Sequence, residues 1–248
     1  MDFEFGKSSE LAQDVRCLGA REYYSGQLVR LWLDGLAKPV CPIPMGENSL
    51  YVAYYASAEM SCHLALDWNL PDNLLDLFCE FRCQNNGLSL PVKNNLLGAL
   101  SLHGLEHISL VEKEEMRELA LRGGPYSPGE QVALLDYCQT DVDALVALLP
   151  EMASKISIDH ALIRGRYMKA VARMESVGIP VDLPLLDRLQ ANWESIQDEL
   201  ISVVDQDFGV YEGRTFKTDL FAEYLNVNRI AWPRLPSGSL GLQDKTFR

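Results

Sequence analysis

"SLYVAYYASAEMSCHLAL", Ser49–Leu66, changes character half-way along. Its first half, LYVAYY, has the aromatic and β-branched composition of a buried strand. Its second half, SAEMSCHLAL, opens on a capping residue, Ser57, and continues with helix-compatible residues. A strand running into a helix N-terminus presents side chains at a sheet edge, and Glu59 falls at that junction. The same change recurs in LLDLFCEFR, Leu74–Arg82. Strands first and helices later, over about 150 residues, predict an α/β domain with a mixed sheet covered by helices.

Working outward, the chain opens on MDFEF, Met1–Phe5, in which Asp2 and Glu4 alternate with apolar residues. On a strand, residues i and i+2 share one face, about 6.5–7 Å apart, so two carboxylates can reach one metal site. Taken alone, D-x-E also fits an ordinary half-exposed strand. Lys7–Gly19, KSSELAQDVRCLG, reads as a loop or short helix, and EYYSGQLVRLWL, Glu22–Leu33, as extended. CPIPMGEN, Cys41–Asn48, is a turn-rich break. Helices are expected over NNLLGALSLHGL, over EKEEMRELALRG, and from about Pro128 to Leu149.

A second unit is expected from Ser154, with residues 1–153 forming the first and 154–248 the second. Two helical patterns there are split by SVGIPVD, where Gly178 and Pro180 end one helix before DLPLL starts the next. A third short helix is expected in TFKTDLFAEYLNVN. The closing WPRLPSGSLGLQDKTFR is too rich in Gly and Pro to close a core and reads as an interruption.

Composition narrows the class. A hydrophobic fraction of 48% and a charged fraction of 23% are those of a folded globular chain, which excludes disorder as the dominant state. No apolar run reaches the roughly 18–20 residues that span a bilayer, and MDFE lacks the basic and apolar regions of a signal peptide. A cytoplasmic protein with no membrane partner is expected. The six cysteines include no C-x-x-C pair, so reduced thiols are expected rather than a zinc or redox site. The net charge of −13 argues against nucleic-acid binding by phosphate neutralisation alone. The acidity is uneven: residues 1–153 carry 10 basic and 22 acidic side chains, and residues 154–248 carry 12 and 13. A carboxylate surplus of this kind is compatible with divalent cations mediating contact to phosphate.

Further along, YCQTD places Tyr137 and Asp141 at i and i+4, on one helix face about 5–6 Å apart. The tyrosine hydroxyl would orient an attacking water while the carboxylate binds metal. In order along the chain, D-x-E on a first strand, Glu59 at a strand-to-helix junction and Y-x-x-x-D in a late helix resemble the DEDD-superfamily 3′→5′ exonucleases of tyrosine subtype. LYVAYYASAEMSCHLALDWNLPDNLLDLFCEFR is similar to the second exonuclease-motif region of phage and bacterial family A DNA polymerases. YMKAVARMESVGIPVDLPLLDRL and YLNVNRIAWPRLPSGSLGLQDKTFR are similar to the segment leading into their polymerase domain.

The resemblance implies a ribonuclease H-like mixed sheet flanked by helices, followed by a smaller helical segment. It implies a DNA 3′→5′ exonuclease acting on single-stranded or frayed 3′ ends, part of or partner to a polymerase domain or subunit. Asp2, Glu4, Glu59 and Asp141 would hold two Mg²⁺ or Mn²⁺ ions, and Tyr137 would complete the catalytic set. Two ions about 3.5–4 Å apart activate water and stabilise the leaving 3′ oxygen. The family usually has aspartate where Glu59 stands, with Asp76 as the rival candidate and a structural role expected for it. An exonuclease-like module that supports a polymerase without cutting is the alternative; a ribonuclease of the same superfamily is a third. Family members carry several strand residues ahead of D-x-E. Here either Phe3 and Phe5 anchor the strand in the core, or the chain lacks its beginning. Polymerase activity is not expected, since palm and fingers need several hundred further residues. Tyr54, Tyr55 and Trp68 lie near the motifs and are expected to be buried. Arg164, Arg166, Lys169 and Arg173 are expected on a solvated helix face, with DNA contact the other reading.

Overall fold

The computed structural model describes residues 1–7, 13–35, 39–106 and 110–243. The chain is α/β, and it divides into two compact units, Met1–Ile179 and Pro180–Arg248. In the first, strands β1 (Asp2–Lys7), β2 (Gln13–Arg21) and β3 (Leu28–Trp32) form an antiparallel sheet in chain order. Strands β4 (Leu50–Ala53) and β5 (Asn73–Asp76) pair in parallel, joined by helix α1 (Ala56–Ala65). Met1 N donates to Val52 O at 3.0 Å, which brings the start of β1 to β4.

The strand β2 corrects the expectation of a loop or short helix over Lys7–Gly19, of which residues 8–12 lie outside the described residues. Six consecutive residues, Val15–Ala20, are buried. A strand covered on both faces loses the apolar alternation that marks a half-exposed one. The buried Arg16 further disguises it, because its guanidinium is neutralised by Asp14 and Asp34.

Helices α2 (Leu77–Gln84), α3 (Leu96–Leu102), α4 (Leu110–Arg122), α5 (Pro128–Ala153) and α6 (Ile158–Val177) complete the first unit. Ser127 and Glu130 form a capping box at the start of α5, with Pro128 at its first position. The buried face of α5 reads Leu134, Tyr137, Cys138, Asp141, Val142, Leu145, Leu148, Met152, a continuous three-and-four spacing. It packs closely on β2 at Gly19, where a β-carbon would meet Cys138 Sγ at 3.1 Å and Val142 Cγ2 at 3.3 Å and those side chains would have to give.

The boundary between units falls after Ile179, not near Ser154, because α6 is built into the first unit. Gly165 lets it cross β5 so closely that a β-carbon would sit 1.9 Å from Leu74 O. Arg164 clamps Glu80 with two bonds of 2.6 and 2.7 Å. Lys169 Nζ donates to Pro71 O and Asp72 O at 2.7 and 3.0 Å.

In the second unit, α7 (Leu183–Ala191) and α8 (Trp193–Val204) replace the single helix expected there, with the break at Asn192. A two-residue hairpin, β6 (Tyr211–Glu212) and β7 (Thr215–Phe216), precedes α9 (Thr218–Val227). The Gly- and Pro-rich tail does take part in packing. Trp232 meets Phe221 edge-on with centroids 5.1 Å apart and donates to Gly241 O, and Leu240 is buried. Among the described residues no helix is long and apolar enough to cross a membrane.

Candidate active site

The two carboxylates of β1 point to the same side of the strand, as the two-residue period dictates, while Phe3 on the opposite side is buried against Val15, Leu18 and Trp68. Phe5 packs against the same cluster. With β1 also paired to β2 along its length, Asp2 and Glu4 stand on constrained backbone.

Glu59 is close enough to Asp2 and Asp141 to feel their charges, although its ligand atoms are not within the 4.8 Å group that Asp2 and Glu4 form, and it is set there by an unusual turn. Tyr55, between β4 and α1, has a left-handed backbone with φ of 70°. Asp76 holds that turn: its carboxylate accepts from Tyr55 N at 3.0 Å, Ala56 N at 3.1 Å and Phe78 N at 2.9 Å. The left-handed turn, costing of order 1 kcal/mol or more, is offset by this charge-assisted capping. It sets the start of α1 so that Glu59 in the first turn is only 3% exposed. Asp76 is therefore fully engaged as a double helix cap, the structural role expected of it.

Asp141 and Tyr137 lie on the buried face of α5. Lys113 of α4 closes the group, with Nζ 2.7 Å from Asp141 Oδ2 and 5.6 Å from the Tyr137 ring centroid. Potential ligand atoms of Asp2, Glu4 and Cys138 all lie within 4.8 Å of one another. Cys138 is better read as packing: its thiol donates to Asp2 O at 3.3 Å, and burial holds it well above the ordinary thiol range, so it stays protonated.

Electrostatics record the crowding. Burial pushes Asp2 up to about 7, and Asp141 adds to the rise. Glu4 and Glu59 are both driven well above the ordinary glutamate range by burial first and by Asp2 next. Tyr137 is raised by burial and by Asp141, which keeps its phenol protonated. Two carboxylate oxygens, Asp2 Oδ2 and Glu59 Oε2, are buried without a hydrogen-bond partner among the described residues. Such orphaned oxygens cost about 1–3 kcal/mol each, more when charged. They fit a cation, and an all-oxygen donor set suits Mg²⁺ or Mn²⁺ rather than a softer metal.

Asp2, Asp141 and Lys113 open on a cleft of about 320 Å³, whose other walls include Tyr54, Tyr55, Phe78 and Asn94. Of the three aromatics expected to be buried, Trp68 is, and its indole donates to Pro39 O. Tyr55 is not: it is 51% exposed and meets Phe78 edge-on at 5.0 Å between centroids. Tyr54 is partly buried, with its hydroxyl left without a partner among the described residues. His63 is a core residue on the buried face of α1, bonded to Asn69 O and Tyr51. The sequence reading missed Lys113, which sits among Glu114, Glu115, Arg117 and Glu118 with nothing in the pattern to single it out. In comparisons with known proteins, no family model and no curated sequence matches the chain.

Proposed function

We propose that this chain is a metal-dependent 3′→5′ exonuclease of ribonuclease H-like architecture that hydrolyses single-stranded or frayed DNA 3′ ends, allied to a family A DNA polymerase. The observation that carries the reading is the pair Asp2 and Glu4 on one face of β1, electrostatically coupled to Glu59 of α1 and Asp141 of α5, with Asp2 Oδ2 and Glu59 Oε2 buried and unpartnered among the described residues. Three antiparallel strands followed by a parallel pair, joined at Met1 and Val52, support the architecture.

Asp2, Glu4, Glu59 and Asp141 would hold two Mg²⁺ or Mn²⁺ ions. Bound divalent ions supply Lewis-acid stabilisation of the charge that develops during phosphodiester hydrolysis. The chain's own groups do the rest. Tyr137, kept protonated, donates a hydrogen bond that orients water beside Asp141. The exposed face of Tyr55 and its neighbour Phe78 offer stacking surface to unpaired bases at the cleft mouth, which selects single strands without reading sequence. Asp76 positions Tyr55 and the first turn of α1 and stays outside the chemistry.

The test is a gel assay of 5′-labelled single-stranded DNA with Mg²⁺ or Mn²⁺, comparing the wild type with Asp2→Ala and Asp141→Ala. A ladder shortening from the 3′ end, absent in both variants, supports the exonuclease. The second reading, a module that supports a polymerase without cutting, draws on Lys113, whose ammonium already neutralises Asp141. Uncut DNA at high concentrations of folded protein with either metal would overturn the exonuclease and leave that reading as the better account.

A further inference from the structure

A second concavity lies in the first unit, away from the residues of the carboxylate cluster. Its volume is about 670 Å³, within the usual range of ligand clefts. One wall is α6, which presents Arg166, Lys169 and Arg173 at i, i+3 and i+7, a single helix face. The other wall comes from two loops, Met45–Gly46 and Asn69–Asp72, tied together by Asp72 N donating to Met45 O at 2.9 Å.

Three cations on one face of a chain with net charge −13 are notable because they are barely compensated. Asp72 is the one carboxylate among the cavity's described lining residues. Arg164, two residues before Arg166, is satisfied by Glu80, whereas Arg166 and Arg173 are exposed and make no ion pair among the described residues. Burial holds Lys169 below the ordinary lysine range; Arg166 and Arg173 push it further down, and Asp72 opposes them. Like charges are thus held together by the fold at a cost that a bound anion would offset. The Lys169 bonds to Pro71 O and Asp72 O fix the cluster, so the two arginines remain as free forks suited to phosphate oxygens. The loop wall adds apolar surface at Met45, Leu70 and Pro71 beside the polar Asn69 and Asp72.

We infer that this cavity is a phosphate-binding site that grips the backbone of the DNA strand outside the cleavage cleft, with Arg166 and Arg173 as the contacting groups. The inference rests on the proposed action at DNA ends and adds how an acidic chain keeps hold of its polyanionic substrate. Contacts of this kind position a strand without reading its sequence.

The experiment measures binding of 5′-labelled single-stranded DNA by fluorescence anisotropy in EDTA, where no hydrolysis occurs, across a salt series. Wild type is compared with the double variant R166Q/R173Q and with R166K/R173K. Loss of two phosphate contacts should lower the slope of log K against log salt by about 1.4 and weaken binding roughly 10- to 30-fold at 0.1 M salt. The lysine pair should restore most of the slope. An unchanged slope and affinity in a folded R166Q/R173Q protein would overturn the inference. So would a nucleoside 5′-monophosphate that raises the melting temperature of wild type alone while the DNA slope stays constant, since that assigns the cavity to a small phosphate. The two readings separate cleanly. An arginine-dependent slope in a chain that never cuts DNA leaves the cavity standing and removes the exonuclease; cutting with an unchanged slope does the reverse.

Discussion

The ammonium of Lys113 lies 2.7 Å from Oδ2 of Asp141, placing a protein cation against a carboxylate expected to hold a metal ion. The lysine side chain is 29% exposed and the aspartate 11%, so the pair is only partly screened. Lys113→Met should destabilise the metal-free protein by about 1–3 kcal/mol, less than the roughly 3–5 kcal/mol of breaking a fully buried pair. With the competing cation gone, the same variant should gain more melting temperature than wild type on adding Mn²⁺. Thermal melts in EDTA and in Mn²⁺ check both parts, and an equal metal-induced rise in the two proteins would show that Lys113 does not compete for the site.

Asp2 gives a pH signature. Burial and Asp141 raise it to about 7 from an unfolded value of 3.8, so the folded state holds its proton more tightly between these values. Its contribution to stability is fully present below pH 4 and is lost as the pH rises towards 7. Asp2→Asn, which cannot ionise, should therefore be more stable than wild type at pH 8 in EDTA, on the order of 2–4 kcal/mol, and nearly equal to it at pH 4. It should also cut no DNA. Urea unfolding at the two pH values measures the difference; parallel stability profiles would refute the assignment of Asp2 to a crowded carboxylate site.

How much of this arrangement can be read from sequence depends on what each residue's neighbours do to its pattern. Asp2 and Glu4 are legible because a strand edge alternates, and Tyr137 and Asp141 because four residues make one helical turn. β2 is not, since burial on both faces and the internally neutralised Arg16 remove the alternation. The boundary at Ile179 is hidden for a different reason. What fixes α6 to the first unit is a missing β-carbon at Gly165 and the pairing of Arg164 with Glu80, 84 residues away. The basic face of α6 is visible as a helical pattern, but the loops that make it concave come from residues 45–46 and 69–72. Long-range juxtaposition, not local propensity, is the unread part.

His63 should oppose the carboxylates as pH falls. It is fully buried; its Nδ1–H donates to Asn69 O at 3.0 Å, which leaves Nε2 to accept from the Tyr51 hydroxyl at 3.3 Å. Phe3 and Trp68 meet its ring edge-on. Burial lowers it to about 4 from 6.5. A depressed value means stability present above pH 6.5 and lost as the pH falls through 4, about 3 kcal/mol in all. His63→Gln carries no such titration. Its stability deficit relative to wild type should shrink by that amount between pH 7 and pH 4, measured by urea unfolding at each pH. A constant deficit would show that His63 is not buried in its neutral form.

Gly165 tests whether α6 belongs to the first unit. A β-carbon there would fall 1.9 Å from Leu74 O and 2.8 Å from Leu74 C, atoms of the β5 backbone that cannot swing aside as a side chain would. In an ordinary helix interior, Gly→Ala gains roughly 1 kcal/mol of helix propensity. Here the forced separation of α6 from β5 should reverse that sign, with a net loss of about 1–3 kcal/mol, the range of overpacked cores. The displacement should also spread to the cavity, because Lys169 one turn later loses its carbonyl partners, Pro71 and Asp72. Gly165→Ala should therefore lower the denaturation midpoint and weaken single-stranded DNA binding in EDTA, whereas Gly129→Ala, where a β-carbon meets nothing within 4 Å, should do neither. A Gly165→Ala protein as stable as wild type would mean that α6 does not pack against β5 in solution, and the basic cavity would lose the wall that carries its charges.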